Sequence, residues 1–281
     1  MPTLPPYLAV LPALLGQGQP VRVRVVGDMA SVATCMAQDI ADCIRAARSE
    51  GRAATLILPV GPVDQLPILA RSINDEGLDC RNCVFINMDE YLDERDHWVP
   101  LDHPLSFRAY MSRAFYDLLR PELAPISENR VFPDPRHPER IGQLIAQRGG
   151  VDACFGGIGI NGHIAFNEPP EPGEHCEVKQ FAALPTRVLP LSRETRTINS
   201  VTVGGEISII PHRAVTVGMR EILQSQSLRF YCNRPWQSSV VRRVLHGPLT
   251  AACPASLLRT HPDAWLTVAD YVAALPDIRL R

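Results

Sequence analysis

An alternation of apolar and basic residues at 21–26 and short apolar runs at 55–58 and 84–88 recur with about a helix's length of chain between them, and this spacing restricts the fold more than any other feature. Parallel strands need such crossovers, whereas hairpins need only a few residues. The first intervening segment, 30–47, carries Val32, Met36, Ile40, Cys43 and Ile44 at steps of three and four, the spacing of one helical face. The second, 63–73, follows Gly61-Pro62 and places Leu66, Ile68, Leu69 and Ile73 on a stripe that can face a sheet. Helices are also expected over 106–119 and 140–147. Further strands at 214–217, 228–232 and 265–269 surround a helix at 237–245. The reading is a single α/β domain spanning 1–281 with a mostly parallel sheet. Residues 169–210, punctuated by Pro169, Pro170, Pro172, Gly173, Pro185, Pro190, Gly204 and Gly205, read as an irregular, lid-like excursion over its ligand end.

Composition removes several function classes. A net charge of −2 from 28 basic and 30 acidic residues gives no electrostatic reason to expect nucleic acid or an anionic membrane as partner. No apolar stretch approaches the roughly 20 residues needed to span a bilayer, and the first residues lack the basic n-region of a signal peptide. A cytoplasmic protein is therefore expected. The eight cysteines mostly sit in apolar or helical patterns and read as small core residues. Cys80 and Cys83 form one CxxC without a second pair at zinc-site spacing, so a turn before a strand is the reading preferred over a metal or redox site.

Two segments concentrate reactive groups. Val151, Ala153, Cys154 and Phe155 form a short buried-strand run that enters the glycine-rich turn 156–169, which delivers Asn161, His163, Asn167 and Glu168 within eight residues. Gly157, Gly159 and Gly162 match a dinucleotide fingerprint literally, but the turn neither lies in the first βα unit nor opens a phosphate-binding helix. The second segment is Asn87-Met-Asp-Glu-Tyr91, where an apolar strand runs into Asp89 and Glu90. A partly desolvated carboxylate there can act as base on a carbon acid, and an imidazole nearby can move a proton on oxygen. The bland readings are that His163 caps its loop and Asp89 starts a turn; their joint presence favours catalysis. The histidines at 97, 103, 137, 175 and 212 lie in polar or proline-rich contexts, and no pair has helical zinc-site spacing.

Asn87-Met-Asp-Glu-Tyr91 and Gly159-x-Asn-Gly-His-Ile-Ala-Phe-Asn-Glu-Pro169 resemble the glucosamine-6-phosphate deaminase family, within the larger group of galactosamine-6-phosphate isomerases and 6-phosphogluconolactonases. The resemblance continues through His103-Pro104, Thr195-Arg196, the segments 214–218 and 253–258, and His261-Pro262. It implies a Rossmann-like three-layer α/β sandwich, a homo-oligomer, no metal or organic cofactor, and conversion of a 2-amino sugar to a ketose with release of ammonia. Carried over by position, His163 would assist ring opening, Asp89 would move a proton between C2 and C1, and Glu168 would orient and tune His163. Gly61, Glu90, Asn161, Gly162, Asn167 and Arg234 are the residues expected around the substrate.

The departures from the family bear on the substrate. Asn161 stands where the deaminases usually carry Asp. The phosphate-binding loop corresponds to Val60-Gly61-Pro62-Val63, without its hydroxyl; the phosphate-binding Arg aligns with Val201 and the Lys with Gln237. These changes point to an amino sugar lacking the usual 6-phosphate, with Arg234 or Arg220 as the compensating cation. The alternatives are a non-catalytic sugar or sugar-phosphate binding protein and a lactonase, the latter opposed by the Phe166-Asn-Glu-Pro169 ending.

Overall fold

A computed structural model describes residues 4–61 and 64–278. Among the described residues, ten strands alternate with nine α-helices. The strands are β1 (Arg22–Val26), β2 (Thr55–Leu58), β3 (Val84–Asn87), β4 (Asp89–Leu92), β5 (Arg130–Val131), β6 (Ala153–Gly157), β7 (Arg187–Pro190), β8 (Arg213–Thr216), β9 (Ser227–Cys232) and β10 (Ala264–Ala269). The helices are α1 (Met29–Ser49), α2 (Gln65–Glu76), α3 (Phe107–Ala114), α4 (Glu139–Gln147), α5 (Val178–Ala182), α6 (Arg193–Ser200), α7 (Met219–Leu223), α8 (Gln237–His246) and α9 (Asp270–Ala273).

Seven strands form one parallel sheet in the order β1-β10-β9-β6-β2-β3-β5, flanked by helices. The α/β class expected from the spacing is what forms. Every residue of β2 and β3 is buried, as both faces of a covered parallel sheet require. Asp28 caps α1 by accepting from the Ser31 amide at 2.7 Å, and Val32, Met36, Ile40 and Ile44 of that helix are buried in the main core. Among the described residues no helix is long and apolar enough to cross a membrane.

Three expectations need correction. The strand ending in Asn87-Met-Asp-Glu-Tyr91 is two strands: the chain leaves the parallel sheet at Met88, and Asp89 begins β4 in a separate antiparallel sheet of order β4-β8-β7. The apolar run near 214 therefore belongs to this second sheet, not to the parallel one. Alternation alone could not separate them, because both sheets are buried on the side toward the core. The excursion 169–210 is more ordered than its proline content suggested, holding α5, β7, α6 and two 3₁₀ turns, Val201–Val203 and Ile207–Ile209. Each of these elements is short, which left no periodicity to read. The helix expected over 106–119 is α3 followed by a 3₁₀ turn, Tyr116–Leu118. Val63, where the second helix was expected to begin, lies outside the described residues, as does Pro62.

Candidate active site

A cavity of about 510 Å³ opens at the carboxyl ends of β2, β3, β6 and β9, the end at which open parallel sheets bind ligands. Gly61, Asp89, His163 and Arg234 line it. Its walls are largely apolar. Tyr91, Phe107 and Phe166 form one aromatic group, with centroids 4.8 Å apart for Tyr91–Phe107 and 5.3 Å for Tyr91–Phe166. The excursion supplies Asn199, Thr202 and Val203 to the same cavity, and the Asn199 amide donates to the Tyr91 hydroxyl at 2.9 Å.

Asp89 is only 8% exposed, and among the described residues its carboxylate receives no hydrogen bond. Burial, reinforced by the neighbouring charge of Glu90, pushes its carboxyl up to about 8. The result is a carboxyl group that is easily protonated and faces open space.

His163 is held from behind. Its Nδ1 lies 2.8 Å from Asn161 Oδ1 and 3.1 Å from Thr195 Oγ1. Asn161 Nδ2 in turn donates to Glu168 Oε2 at 2.8 Å, and the Ser192 amide donates to Glu168 Oε1 at 3.2 Å. The carboxylate can only accept, which fixes the orientation of the Asn161 amide: its nitrogen faces Glu168 and its oxygen faces the imidazole. Nδ1 is therefore the protonated nitrogen of neutral His163, and Nε2 carries the free lone pair. Burial would raise the Glu168 carboxyl, but the His163 ring and the Asn161 amide outweigh it and hold the group down to about 2.

Glu168, expected to orient and tune His163, reaches the ring largely through Asn161. Glu168 Oε2 is 3.6 Å from Nδ1, while Asn161 sits at hydrogen-bond distance between them. An aspartate at 161 would put two carboxylates against each other; the amide satisfies both neighbours.

Gly159 was not among the expected site residues, yet it determines where the imidazole lies. A Cβ at this position would fall 2.1 Å from His163 Nε2. The ring therefore rests on bare backbone just past β6. The signal in the sequence was present, as the glycine four residues before the histidine, but only the fold shows which side chain approaches it.

Several expected substrate contacts turn out to be structural supports. Glu90 is fully buried and accepts from the backbone amides of Tyr91, Phe107 and Arg108 at 2.8, 3.0 and 2.9 Å, and from Ser106 Oγ and Arg108 Nε at 3.2 Å each. It anchors the first turn of α3 instead of facing the cavity. Asn167 donates to the carbonyls of Ile164 and Val217 at 3.0 and 2.9 Å and accepts from Arg187 at 2.7 Å, tying the loop to the end of β8. Gly162 has φ +91°, and a Cβ there would meet Cys253 Sγ at 2.6 Å, so it serves the turn and its packing. Neither Asn161 nor Glu168 reaches the cavity wall.

At the far end, Arg234 is exposed at the rim, its Nη1 3.8 Å from Met29 Sδ, and its backbone amide donates to Gln237 Oε1 at 2.7 Å. Gln237 is 5% exposed and spends its other end on the Ile158 carbonyl at 2.8 Å. Val201 is 69% exposed. Arg220 is committed to Glu221 at 2.7 Å and does not line the cavity. The chain's one lysine, Lys179, is an exposed residue of α5 away from the cavity wall. Among the described residues no group of three or more His, Cys, Asp or Glu side chains is placed to hold a metal ion.

No protein-family model matches the chain. It is 31% identical over 218 residues to a glucosamine-6-phosphate deaminase of Streptomyces avermitilis, covering 74% of this chain and 77% of that one. It is 29% identical over 202 residues to a glucosamine-6-phosphate deaminase of Exiguobacterium sibiricum, covering 71% and 73%. Among solved structures, a monomeric glucosamine-6-phosphate deaminase superposes with a TM-score of 0.77 at 26% identity, over 91% of this chain and 100% of that one. A 6-phosphogluconolactonase from Thermotoga maritima shares the fold at a TM-score of 0.64 and 15% identity, over 89% and 100%.

Proposed function

Because the chain belongs to the glucosamine-6-phosphate deaminase family, we propose that it converts a 2-amino-2-deoxy aldose into the corresponding ketose with release of ammonia, and that its substrate lacks the 6-phosphate. The observation that carries the reading is the pairing of an unbonded, buried carboxylate, Asp89, with an imidazole of defined tautomer, His163, across one cavity.

Each group suits one part of the reaction. The free Nε2 of His163 takes the proton of the C1 hydroxyl and returns it to the ring oxygen, which opens the pyranose. The imidazolium formed in between is stabilised by the Asn161 oxygen and by the Glu168 charge behind it. Asp89 as carboxylate takes the proton from C2 of the open-chain aldehyde while O1 is protonated, giving an enolamine, and then returns that proton to C1. The product is an imine at C2 and a hydroxymethyl group at C1. Water adds to C2, and ammonia leaves as the ketone forms. A protonated substrate amine approaching Asp89 favours its ionised form, so binding itself prepares the base.

The absence of a phosphate from the substrate is argued from the far end of the cavity. Gln237 is locked into the backbone, Val201 offers no charge, and the one lysine is elsewhere. A phosphate dianion held there would lack most of the charge-assisted donors it requires, each worth about 1.5–3 kcal/mol. The test is ammonia and ketose release by the purified chain from a panel of phosphorylated and unphosphorylated 2-amino sugars. Turnover of an unphosphorylated member above its 6-phosphate supports the proposal. Preference for the 6-phosphate refutes the phosphate-free reading, and silence across the panel refutes deamination.

A further inference from the structure

Asn233 and Arg234 follow β9 at the end of the cavity remote from Asp89. Asn233 is 5% exposed, its backbone carbonyl is fixed by the Tyr271 hydroxyl at 2.7 Å, and its side-chain Nδ2 is buried without any hydrogen-bond partner among the described residues. A buried amide of this kind is disfavoured unless something completes it. Next to it, Arg234 makes no ion pair among the described residues; its guanidinium has only the weak sulfur acceptor of Met29. Among the described residues it is the one permanently charged cation on the cavity wall.

We propose that Asn233 and Arg234 recognise a carboxylate at the far end of the substrate, which makes the substrate a 2-amino-2-deoxy uronic acid; this deepens the deaminase reading above and rests on it. The geometry fits a six-carbon chain. Asp89 follows β3 and Asn233 follows β9, with β6 and β2 between them, so three strand spacings of about 4.8 Å separate the two ends and the facing side chains close part of that gap. The charge fits as well. One guanidinium matches the single charge of a carboxylate with paired hydrogen bonds, and the amide of Asn233 supplies a further donor. A phosphate dianion would ask for more, and the donors nearest to hand are spent: the Arg234 amide on Gln237 and the Gln237 amide on Ile158. A neutral hydroxymethyl group would leave the guanidinium with water and the Met29 sulfur as its partners, and no charge to match it.

The test compares 2-amino-2-deoxy-glucuronic and -galacturonic acids with glucosamine, galactosamine and their 6-phosphates, in the wild-type chain and in Arg234→Gln and Asn233→Leu. Ammonia release gives kcat/KM, and calorimetry on the Asp89→Asn protein gives binding without turnover. The expected result is a kcat/KM for one uronic acid at least about tenfold above its neutral and phosphorylated counterparts. Each far-end variant should lower it about 10–100-fold, mainly through KM, and lower neutral-sugar turnover by at least tenfold less. Equal or better use of neutral or phosphorylated sugars, or equal losses for all substrates in the variants, overturns the carboxylate assignment and leaves deamination standing. Uronate binding that is lost in Arg234→Gln, without ammonia from any sugar, supports the far-end assignment and overturns the deaminase reading. Neither binding nor turnover of either uronic acid overturns the assignment outright.

Discussion

Replacing Asp89 with Asn removes the mobile proton and a suppressed charge together, and the two effects have opposite signs. The carboxyl titrates at about 8 because it is buried and sits beside Glu90, against an ordinary value near 4. The folded protein therefore holds this proton more tightly than the unfolded chain does. That contribution to stability is complete below about pH 4, is lost as the pH rises to about 8, and changes no further above it. A gap of about four pH units at ~1.4 kcal/mol per unit gives roughly 6 kcal/mol lost between those limits. The asparagine side chain of Asp89→Asn has nearly the shape of protonated aspartate and no charge, so the variant escapes the loss. Urea titrations at pH 5 and pH 9 should show the variant ahead by only about 1.5 kcal/mol at the lower pH and by several kcal/mol more at the higher. Ammonia release should fall by about 10³-fold or more, since general base catalysis is removed. In the wild type, kcat/KM should climb about tenfold per pH unit between 5 and 7 and level off through about 8, as the fraction of free enzyme with ionised Asp89 rises. Parallel stability curves for the two proteins from pH 5 to 9, or substantial turnover by the variant, would refute the assignment of a strained carboxyl base.

Gly159→Ala should keep the fold by circular dichroism and lose about 100-fold in kcat, because the added methyl takes the place where the His163 ring lies. Glu90→Gln should cost about 3 kcal/mol in chemical denaturation, since the buried carboxylate ties five donors around the first turn of α3. The same change removes the negative charge that lifts Asp89, so the acidic limb of the pH–rate profile should move to lower pH; an unmoved limb would contradict that coupling. Glu168→Gln should destabilise by about 3 kcal/mol above pH 5, from a carboxyl held down to about 2. Because that stabilisation is lost as pH falls from the ordinary carboxylate range toward 2, the gap between wild type and variant should narrow toward pH 3.

The legibility of this chain depended on whether a feature is local. Periodicity in α1 and the apolar runs of β2 and β3 are local, and each formed where its spacing placed it. Asp89 and His163 lie in motifs where chain direction and side-chain type already suggest proximity to a sheet end, and the structure puts both on one cavity. What could not be read was partnership across long sequence separations. Glu90 looked like a companion to Asp89, but strand alternation turns its side chain to the opposite side, where α3, 17 residues on, offers it amides. Thr195 reaches His163 across 32 residues, from an excursion whose short elements leave no periodic trace. The second sheet was hidden because a single residue, Met88, separates β3 from β4.

Asn161 shows how such partnership changes the meaning of a substitution. In the sequence it looks like a lost ionisable group, hence a weakened proton relay. Between Glu168 and His163 the amide does something a carboxylate could not do at the same position: it donates to one neighbour and accepts from the other. Glu168 can therefore remain ionised, and the imidazole is confined to the tautomer with a free Nε2 without two carboxylates being forced together. The negative charge that steadies the imidazolium is still present, one side chain farther away. Loss of a charge at position 161 is thus compatible with a working ring-opening group. The departures that bear on the substrate lie at the other end of the cavity, where Gln237 closes on the backbone and Asn233 has a buried amide without a partner among the described residues.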